Sequence, residues 1–508
     1  MSNHLEHDDF AEKPRRPIFR PILSILISGL AALCLIPLGF ITGLSNPRLL
    51  EWITMGFPPT WPGTLAGVAI ACLVMIPMIW IARSGSLDLI AFFLMWEALI
   101  MCGFFFLGIT AWNLEGGLGQ GILSTAPLVV LINCTGFAIL LTVLGCTYSF
   151  LKSFGFRSKS IAPIVAGNDG RLKWFLRGIG FVTILLLALP MARTGIVPLL
   201  AYASEGAGGT AFGSVDPRLM LIESPALRAI YNLGYGLMPF VTAGLILYCI
   251  RKPIQFLKID GIIIAILLIA QLLSGNRFPL ALAAIATISL LSMERRIPRW
   301  ILITAIVMYM FLFTVLGGFT GLLRWDKEQL FTGNPVSNSI EAAFTGNNLI
   351  DMRDASWVMS QWDFEPLNGM TYLGGLTSFI PSGIFPQKRE WHLGLTAVRL
   401  VGWDDSTHPG LRISFFGESF LNFGLAGVIT LGTVLGILFG SLLWVFHQAS
   451  AARPSSLNRN LRILILMEMT LHLSNTSNAF SFWALGAILL IQWILVDCFA
   501  PPDPVDHE

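Results

Sequence analysis

One polar stretch, residues 319–412, holds most of the side chains in this chain that could do chemistry. Its basic residues are Arg324, Lys327, Arg353, Lys388, Arg389, Arg399 and Arg412. An arginine guanidinium is planar and stays charged, so it donates paired hydrogen bonds to a phosphate or diphosphate group. The stretch is therefore predicted to bind an anionic, phosphate-bearing group.

Three arginines are the main candidates for that anion site. Ten residues separate Arg399 from Gly410, and Arg412 follows two positions later. Arg277 lies in the short turn 274–279 between two apolar segments. These three cations are predicted to converge on an anionic head group at the outer face of a membrane. The alternative for each is an interfacial arginine that extends its charged end towards water.

Two kinds of side chain could act as a general base. The stretch contains His392 and His408, and a neutral imidazole is a common base near neutral pH. Glu418 follows in the apolar run 413–446, which is longer than one bilayer crossing needs, so the start of the run is expected to stay at the membrane mouth. Partial burial there would raise the pKa of Glu418, and Gly417 would let a substrate approach closely. Glu418 is the favoured base and His408 its competitor; histidines exposed in a loop without a catalytic role are the alternative.

No metal site and no cofactor are predicted. Asp404 and Asp405 are adjacent carboxylates, but no third ligand stands at a suitable spacing, so a turn is favoured there. The seven cysteines all lie in or at the ends of apolar segments, where they are expected to pack as small apolar residues.

Two interpretations stay open for the tryptophans of the polar stretch, and two for the ionisable residues inside apolar segments. Five of the fifteen tryptophans lie in the polar stretch, namely Trp325, Trp357, Trp362, Trp391 and Trp403. They could stack on sugar rings or anchor the protein at the membrane surface. Glu97, Glu468 and His472 fall inside apolar segments, where an ionisable side chain indicates either a function or a polar contact between packed helices.

Composition indicates the kind of protein that must position these residues. The 508-residue chain is 55% apolar and only 12% charged, whereas soluble domains carry about 25% charged residues. Segments of about 20 apolar residues cross a bilayer as helices, because hydrocarbon offers no partner to an open backbone group. The sequence therefore predicts an all-α, polytopic integral membrane helix bundle. A net charge of only +2 gives no indication of a nucleic-acid partner.

The apolar runs predict about 12 transmembrane helices. Their approximate bounds are 21–43, 64–82, 89–111, 126–148, 174–192, 232–250, 259–275, 278–293, 300–318, 423–446, 463–479 and 480–498. An even number of crossings places both termini on the same side of the membrane.

Lysine and arginine set the predicted orientation, because short cytoplasmic loops are enriched in them. With the N-terminus inside, 20 of the 32 basic residues fall in inner segments, seven in the polar stretch and five in the other outer segments. Both termini are therefore predicted to be cytoplasmic, and the large loop between spans nine and ten periplasmic.

This topology divides the chain into five parts. They are a cytoplasmic tail (1–20), nine transmembrane helices (21–318), a periplasmic loop domain with its membrane-mouth segment (319–422), three transmembrane helices (423–498) and a cytoplasmic tail (499–508). A second outer segment, 194–231, begins with glycine-rich sequence and ends in a polar helix candidate around 223–228. It is predicted to be a flexible lid or a packing partner.

Two segments resemble bacterial oligosaccharide repeat-unit polymerases, the Wzy type. The first runs from Gly369 to Lys388 and contains Thr-Tyr-Leu, Phe-Ile-Pro and Pro-Gln-Lys in the order of that family's outer-loop pattern. The second is Gly-Glu at 417–418 followed by Asn-Phe-Gly at 422–424, which is similar to the segment leading into the family's next span. The Gly-Asn-Arg turn at 275–277 resembles a Gly-x-Arg turn of the family.

The chain also departs from the family pattern at two places. Ser382 stands after Ile-Pro, where the family often has arginine, and Arg389 stands after Lys388, where it often has proline. Arg389 is expected to replace the missing cation.

The resemblance implies a reaction at the periplasmic face of the bacterial inner membrane. A growing glycan is transferred from undecaprenyl diphosphate onto the non-reducing sugar of another lipid-linked repeat unit, without a metal. The product is a surface polysaccharide such as O-antigen, capsule or exopolysaccharide. The partners implied are undecaprenyl-diphosphate-linked glycans, the lipid bilayer, a flippase and a chain-length regulator.

Site residues follow from the resemblance and from the side chains together. The predicted catalytic residues are Glu418, His408, Arg399 and Arg412. The predicted substrate-binding residues are Arg277, Arg324, Tyr372, Lys388, Arg389, His392 and Trp403.

Two other functions fit part of the pattern. An O-antigen ligase has a similar architecture but passes the glycan to a lipid A core, and the Phe-Ile-Pro and Gly-Glu motifs favour the polymerase over it. A secondary transporter also suits twelve spans with both ends inside, but the chain has no duplicated halves and no central cytoplasmic linker. The sugars, their linkage and the chain length of the product cannot be read from these motifs.

Overall fold

The computed structural model describes several separate ranges of the chain. They are residues 120–154, 169–205, 224–251, 259–274, 299–325, 332–345, 352–378, 383–403 and 413–451, together with residues 283–284, 287–288, 380 and 411. Within these ranges all regular secondary structure is helical, in agreement with the predicted all-α class.

Eleven helices and one 3-10 turn make up the described part. Along the chain they are α1 (Gln120–Ser153), α2 (Asp169–Thr194), α3 (Pro198–Glu205), α4 (Pro225–Arg251), α5 (Ile259–Leu273), α6 (Arg299–Trp325), α7 (Pro335–Thr345), α8 (Met352–Gln361), α9 (Met370–Leu376), the 3-10 turn Pro386–Arg389, α10 (Leu393–Leu400) and α11 (Phe415–Ala451).

Six of these helices coincide with predicted membrane spans: α1, α2, α4, α5, α6 and α11. Four stretches in them are long and apolar enough to cross a membrane, namely Leu131–Ser153, Lys173–Thr194, Ala226–Cys249 and Phe415–Val445. The prediction of a helical membrane protein is confirmed to this extent.

Other predicted spans lie outside the described residues. They are 21–43, 64–82, 89–111, 463–479, 480–498 and most of 278–293, together with both terminal tails. The count of twelve spans therefore stays a prediction.

Helices α1 and α11 pack tightly because α11 presents a row of glycines to α1. Gly432, Gly436 and Gly440 recur at every fourth position, on one face of the helix. A Cβ at Gly436 would lie 2.7 Å from the Cβ of Val143, and one at Gly440 would lie 2.7 Å from the carbonyl oxygen of Leu144. Lipid supplies no hydrophobic drive for helices to associate, so close van der Waals contact between small residues stabilises such pairs.

The direction of the helices can be read from the same contacts. The glycines at 432, 436 and 440 lie beside residues 139, 143 and 147 in that order, so α1 and α11 run parallel. Parallel packing agrees with the predicted topology, in which spans four and ten enter the membrane from the same side. A Cβ at Gly180 would meet Leu245, whereas one at Gly234 would meet Leu186, so α2 and α4 run antiparallel, as consecutive spans must.

One buried ion pair joins α2 to α5. The Nη2 of Arg177 donates to Oδ2 of Asp260 at 2.9 Å, and its Nε donates to Oδ1. Asp260 has no exposed surface and lies in the first turn of α5, where the positive end of the helix dipole also favours a carboxylate. Loss of one partner of such a pair destabilises a protein by about 3–5 kcal/mol, because the remaining charge stays buried. The pair therefore holds α5 in register against α2.

The large loop begins later than the sequence predicts. Helix α6 continues to Trp325, past the predicted end of the ninth span at 318. Helix α7 then folds back onto α6, and Gly318 allows this because its missing side chain leaves room for the backbone of Ser339. The polar stretch thus starts as an extension of a span.

The polar helix candidate around 223–228 is the first turn of α4 and not a separate element. Ser224 caps the helix, since its Oγ accepts a hydrogen bond from the backbone N–H of Leu227 at 3.1 Å. Pro225 follows at the first helical position. This position suits proline, which has no N–H, because an N–H there would have no partner within the helix. The helix is therefore continuous from Pro225 to Arg251.

The described part of the loop is helical and rests on the ends of α1 and α11. Helix α8 packs on α1, and α9 contacts both α10 and α11. Ala355 and Val358 of α8 are completely buried in the same apolar core as Phe137 of α1 and Phe416 of α11. The loop is thus fixed to the parallel pair α1–α11 by apolar contact.

A side chain at Gly436 is expected to separate α1 from α11. In Gly436→Val the new atoms would overlap Val143 and the carbonyl oxygen of Leu140, and overpacking of this kind destabilises proteins by about 1–3 kcal/mol. Thermal unfolding of the purified protein in detergent should show a lower midpoint. Gly178→Val is the matched control, because no described atom lies within 4 Å of a Cβ at that helical glycine. An equal loss in both variants would contradict the tight pairing.

Candidate functional site

Helix α11 is broken at Gly424. This residue has φ 63° and ψ −152°, a conformation that side chains with a Cβ essentially never adopt. The break divides the helix into a short arm from Phe415 and a long arm that ends at Ala451. The sequence predicts that this apolar run is too long for one crossing, and the short arm covers most of the residues predicted to stay at the membrane mouth.

The break leaves backbone carbonyls at the end of the short arm without helical partners. The N–H of Leu367 donates to the carbonyl oxygen of Leu421 at 2.9 Å, and the N–H of Asn368 donates to that of Asn422 at 3.0 Å. Asn368 and Gly369 both have positive φ, 50° and 83°, which turns the loop back into α9. The loop therefore supplies the donors that a continuous helix would have supplied.

A buried polar cluster forms where α9 meets the short arm. The hydroxyl of Thr371 donates to Oε1 of Glu418 at 2.6 Å. The Nδ2 of Asn422 donates to Thr371 Oγ1 at 2.7 Å and to the carbonyl oxygen of Glu418 at 2.9 Å. All three side chains have no exposed surface. The carboxylate can be buried there because it accepts a hydrogen bond and because each of its neighbours is itself held.

Full burial of Glu418 corrects the expectation that it is only partly buried. The segment from Leu367 to Thr371 folds over the short arm and closes the carboxylate off. The Oδ1 of Asn422 is also buried and has no hydrogen-bond partner among the described residues. Glu418 thus holds α9 in position, and a substrate could reach it only past the side chains that cover it.

Tyr372 lies at the edge of this cluster. Its ring stacks on that of Phe423, with ring centroids 6.2 Å apart and planes within 6° of parallel. Burial and the nearby charge of Glu418 raise the pKa of the Tyr372 phenol, and a hydrogen bond with Ser419 works in the opposite direction. A phenol is protonated at neutral pH even at its ordinary pKa of about 10, so Tyr372 can act as a hydrogen-bond donor.

A groove opens beside Tyr372 and runs along the long arm of α11. Its volume is about 510 Å³, and its walls are formed by Tyr372, Ser419, Phe423, Ala426, Gly427, Thr430, Leu431 and Val434. The wall residues other than Tyr372, Ser419 and Thr430 are apolar or glycine. The polar cluster therefore lies next to one end of an apolar groove.

Lys388 holds the turn that follows α9. Its Nζ donates to the carbonyl oxygen of Ser378 at 2.9 Å and also to that of Ile380. Two of its three N–H donors are thus used on the backbone of the Phe-Ile-Pro segment. Burial lowers the pKa of Lys388, and the charge of Arg228 lowers it further.

His392 is the second basic residue on this side of α9. Its Nδ1 is buried and has no hydrogen-bond partner among the described residues. Burial lowers the pKa of His392, and the charges of Arg228 and Lys388 lower it further. The imidazole is therefore neutral at neutral pH, the state in which one ring nitrogen can accept a proton or a hydrogen bond.

Arg228 is the residue that sequence reasoning missed. In the sequence it is one of the five basic residues of the smaller outer segments; in the structure it lies in the first turns of α4, and its charge acts on Lys388 and His392. The available signal was Ser224-Pro225, a typical start of a helix, which would have placed Arg228 at the outer end of span six.

Gly374 of α9 allows the segment around Trp391 to pack against this helix. A Cβ at this position would lie 2.5 Å from the carbonyl oxygen of Trp391. The absence of a side chain lets the segment with Lys388 and His392 pack directly against the helix that carries Thr371 and Tyr372.

The remaining predicted site residues fall into three groups. Arg399 is exposed and its Nη1 donates to the carbonyl oxygen of Glu390 at 3.2 Å, and Trp403 packs edge-on against Trp357 at 4.2 Å between ring centroids. Arg324 and Arg389 lie on described helical turns, but their side chains are not described. Arg277, His408 and Arg412 lie outside the described residues, so the predicted convergence of three arginines stays a prediction.

Within the described ranges, no three His, Cys, Asp or Glu side chains are grouped so that they could hold a metal ion.

Comparison with protein-family models, with curated proteins and with solved structures gave no match to this chain.

The lowered pKa of His392 makes stability depend on pH. Below its ordinary value of 6.5 the unfolded chain takes up a proton at His392 before the folded protein does, so stability should fall as pH drops below 6.5. Each unit of pKa difference corresponds to about 1.4 kcal/mol. Thermal midpoints of the purified protein, measured from pH 7.5 down to 5, should therefore fall more steeply for wild type than for His392→Gln.

Arg228→Gln removes one of the charges that act on His392 and should give an intermediate slope. Wild type and His392→Gln differ in no other titrating group, so the difference between their slopes is due to His392. Identical slopes in wild type and His392→Gln would contradict the lowered pKa.

Proposed function

We propose that this protein is a polymerase that joins undecaprenyl-diphosphate-linked oligosaccharide repeat units into a surface polysaccharide at the periplasmic face of the inner membrane. One observation carries the proposal. The two segments that resemble such polymerases meet in the fold, where Thr371 of the first hydrogen-bonds Glu418 and Asn422 of the second across 47 and 51 residues of sequence. A resemblance in two separate segments has more weight when their side chains form one cluster.

The reaction has simple requirements. A hydroxyl oxygen of the acceptor sugar bonds to the anomeric carbon of the donor glycan, the bond from that carbon to the diphosphate breaks, and the diphosphate leaves with the electron pair. The proton of the hydroxyl goes to a base. The growing negative charge on the leaving group is stabilised by fixed cations.

Cations for the leaving group are available in the large loop and beside it. Arg399, Arg412 and Arg277 are proposed from the sequence, and Arg228 joins them because its charge acts on the loop residues Lys388 and His392. Lys388 is better suited to holding the Phe-Ile-Pro turn than to meeting a phosphate, since two of its donors are already used.

The base is proposed to be Glu418 or His408. Glu418 lies behind Tyr372 and Ser419, so it serves as a base only if α9 shifts to admit the acceptor hydroxyl. Through its hydrogen bond from Thr371, Glu418 positions the start of α9. Metal independence is part of the proposal and follows from the resemblance.

The proposed orientation can be tested with reporter fusions. Alkaline phosphatase is active only outside the cytoplasm, so a fusion after Trp357 in the large loop should be active and a fusion after Arg296 inactive. Both fusions should accumulate to similar levels in the membrane fraction. The reverse pattern of activity would overturn the orientation and, with it, a periplasmic polymerase.

The proposed activity can be tested by the glycan pattern of cells. A deletion strain should carry glycans of one repeat unit only; loss of all repeats would indicate a ligase instead, and unchanged bands would overturn both. Thr371→Val should abolish most polymer, because it removes the buried hydroxyl that donates to Glu418 and accepts from Asn422, at a cost of about 1–3 kcal/mol. Thr433→Val is the matched control, since that hydroxyl donates only to the carbonyl oxygen of Ile429 within the same helix.

Purified protein separates the two candidate bases. Glu418→Gln or His408→Ala should lose activity by a factor of 10²–10⁴, according to which residue is the base. Both variants are assayed with excess chelator present. Activity that disappears with chelator and returns with one divalent ion would contradict the metal-free mechanism, and full activity of Glu418→Gln would remove Glu418 as the base.

A further inference from the structure

One face of α9 is apolar and exposed. Met370, Leu373 and Leu376 recur at every third position, and they are 44%, 46% and 50% exposed. The opposite face is buried and carries small or polar residues, namely Thr371, Gly374 and Gly375. Adjacent large apolar side chains that stay exposed on a folded protein mark a contact with another protein or with a membrane.

Helix α9 begins next to the membrane-spanning part of α11. A Cβ at Gly369 would lie 3.0 Å from Cζ of Phe423, and the ring of Tyr372 stacks on the same phenylalanine. Phe423 is itself about half exposed, as are Leu425 and Ile429 further along α11. The exposed apolar surface of α9 thus adjoins, at Phe423, the exposed apolar surface of a membrane helix.

The length of the long arm of α11 gives the depth of this contact. Residues 425–445, the part of the membrane-spanning stretch after the break, measure about 32 Å at 1.5 Å per residue. The hydrocarbon core of a bilayer is about 30 Å thick. The long arm alone therefore fills the core, which places Gly424 and Phe423 at the boundary of the core. The start of α9 lies at the same level.

The turn that follows α9 also exposes a large apolar side chain. Ile384 is 75% exposed, more than any other large apolar residue in the described ranges. The turn is firmly attached, because Lys388 donates to two of the backbone carbonyl oxygens that precede it. The 3-10 turn Pro386–Arg389 also contacts α9. A fixed turn that leaves an isoleucine uncovered indicates that its neighbour is lipid or another chain.

We propose that α9 and the turn after it form an interfacial anchor, which inserts the exposed apolar face of α9 and the side chain of Ile384 into the bilayer leaflet next to the large loop. Lipid is favoured over protein as the occupant, because Phe423 brings this face to the boundary of the hydrocarbon core. An amphipathic helix at that depth buries its apolar side among acyl chains. Lipid on one face and Glu418 on the other then fix α9 from both sides.

Fluorescence quenching in the full-length protein measures this contact. A fluorescent amino acid replaces Leu373 or Leu376 of the exposed face, or Gln361 or Glu365, which are exposed polar residues of the same loop. The protein is reconstituted in phosphatidylcholine vesicles whose lipids carry a nitroxide at carbon 5 of one acyl chain. Quenching by the nitroxide should be at least threefold stronger at 373 and 376 than at 361 and 365. Quenching by iodide in the buffer should be at least threefold weaker there. Equal quenching at all four positions would overturn the anchor.

Photocrosslinking distinguishes lipid from protein as the surface that covers α9. A photoreactive amino acid at Leu373, in vesicles that contain radiolabelled phosphatidylcholine, should capture the labelled lipid at least fivefold more than the same amino acid at Gln361. Crosslinks from position 373 to another segment of the chain or to a second copy, without lipid capture, would contradict the proposal.

A charge on the exposed face should weaken the insertion. In Leu373→Glu, nitroxide quenching of a probe at 376 should fall at least twofold, because a carboxylate is unfavourable among acyl chains. Leu373→Met is the matched control and should keep the quenching of wild type. Both variants should unfold in detergent at the wild-type midpoint, since the side chain is exposed. Unchanged quenching in a folded Leu373→Glu would contradict the anchor. If this variant does not fold, the comparison of the four probe positions decides.

The interfacial anchor depends on α11 crossing the membrane and not on the proposed polymerase activity. Single-repeat glycans in the deletion strain together with equal quenching at all four positions would overturn the anchor alone. Selective quenching at 373 and 376 together with unchanged glycan bands would support the anchor and overturn the polymerase.

Discussion

The break in α11 at Gly424 is the constraint on which the rest of the described site depends. A helix that is interrupted in apolar surroundings leaves carbonyl groups that must be paired within the protein, because lipid offers no donors. The N–H groups of Leu367 and Asn368 meet this need. The loop segment is thereby tied to the membrane helix by its own backbone, and α9 begins directly afterwards. A continuous helix at this position would offer the loop no acceptors, and the groove along the long arm would not form.

The same attachment explains how a carboxylate can be buried beside a membrane helix. Glu418 is enclosed because Thr371 arrives with α9 and donates to it, and Asn422 in turn holds Thr371. Burial of a carboxylate is unfavourable unless such donors are fixed in advance. The cluster therefore ties the orientation of α9 to that of the short arm. The segment with Lys388 and His392 is positioned by α9 in turn, because Gly374 lets the backbone of Trp391 pack directly on this helix.

Charge is distributed unequally around α9. The carboxylate of Glu418 is enclosed on the side of α11, whereas Arg228, Lys388 and His392 influence one another on the other side. The mutual repulsion of these basic groups favours an anion among them and keeps the imidazole neutral in its absence. An apolar groove, a phenol and a basic region therefore lie close to one short helix, α9.

Local patterns in the sequence were sufficient for the class of fold and for the positions of the long apolar helices. Apolar runs of membrane length predict α1, α2, α4 and α11, because a bilayer accepts backbone only as helix or closed barrel. The excess length of 413–446 also predicts that the start of this run stays outside the membrane span. It does not predict that the helix is broken at a glycine. Two further features have local signals: Ser224-Pro225 marks the start of α4, and the apolar residues that follow Gly318 extend α6.

Only the tertiary structure decided which of the candidate side chains meet. Thr371 and Glu418 are 47 residues apart, and no local pattern indicates that one donates to the other. The full burial of Glu418 depends on a loop that folds over it, and the influence of Arg228 on His392 depends on how α4 stands beside that loop. Hydropathy and helix signals act over a few residues, so the sequence by itself determined the elements. Contacts between distant segments depend on the packing of all of them at once, and for that reason the polar cluster and the groove could be found only in the folded chain.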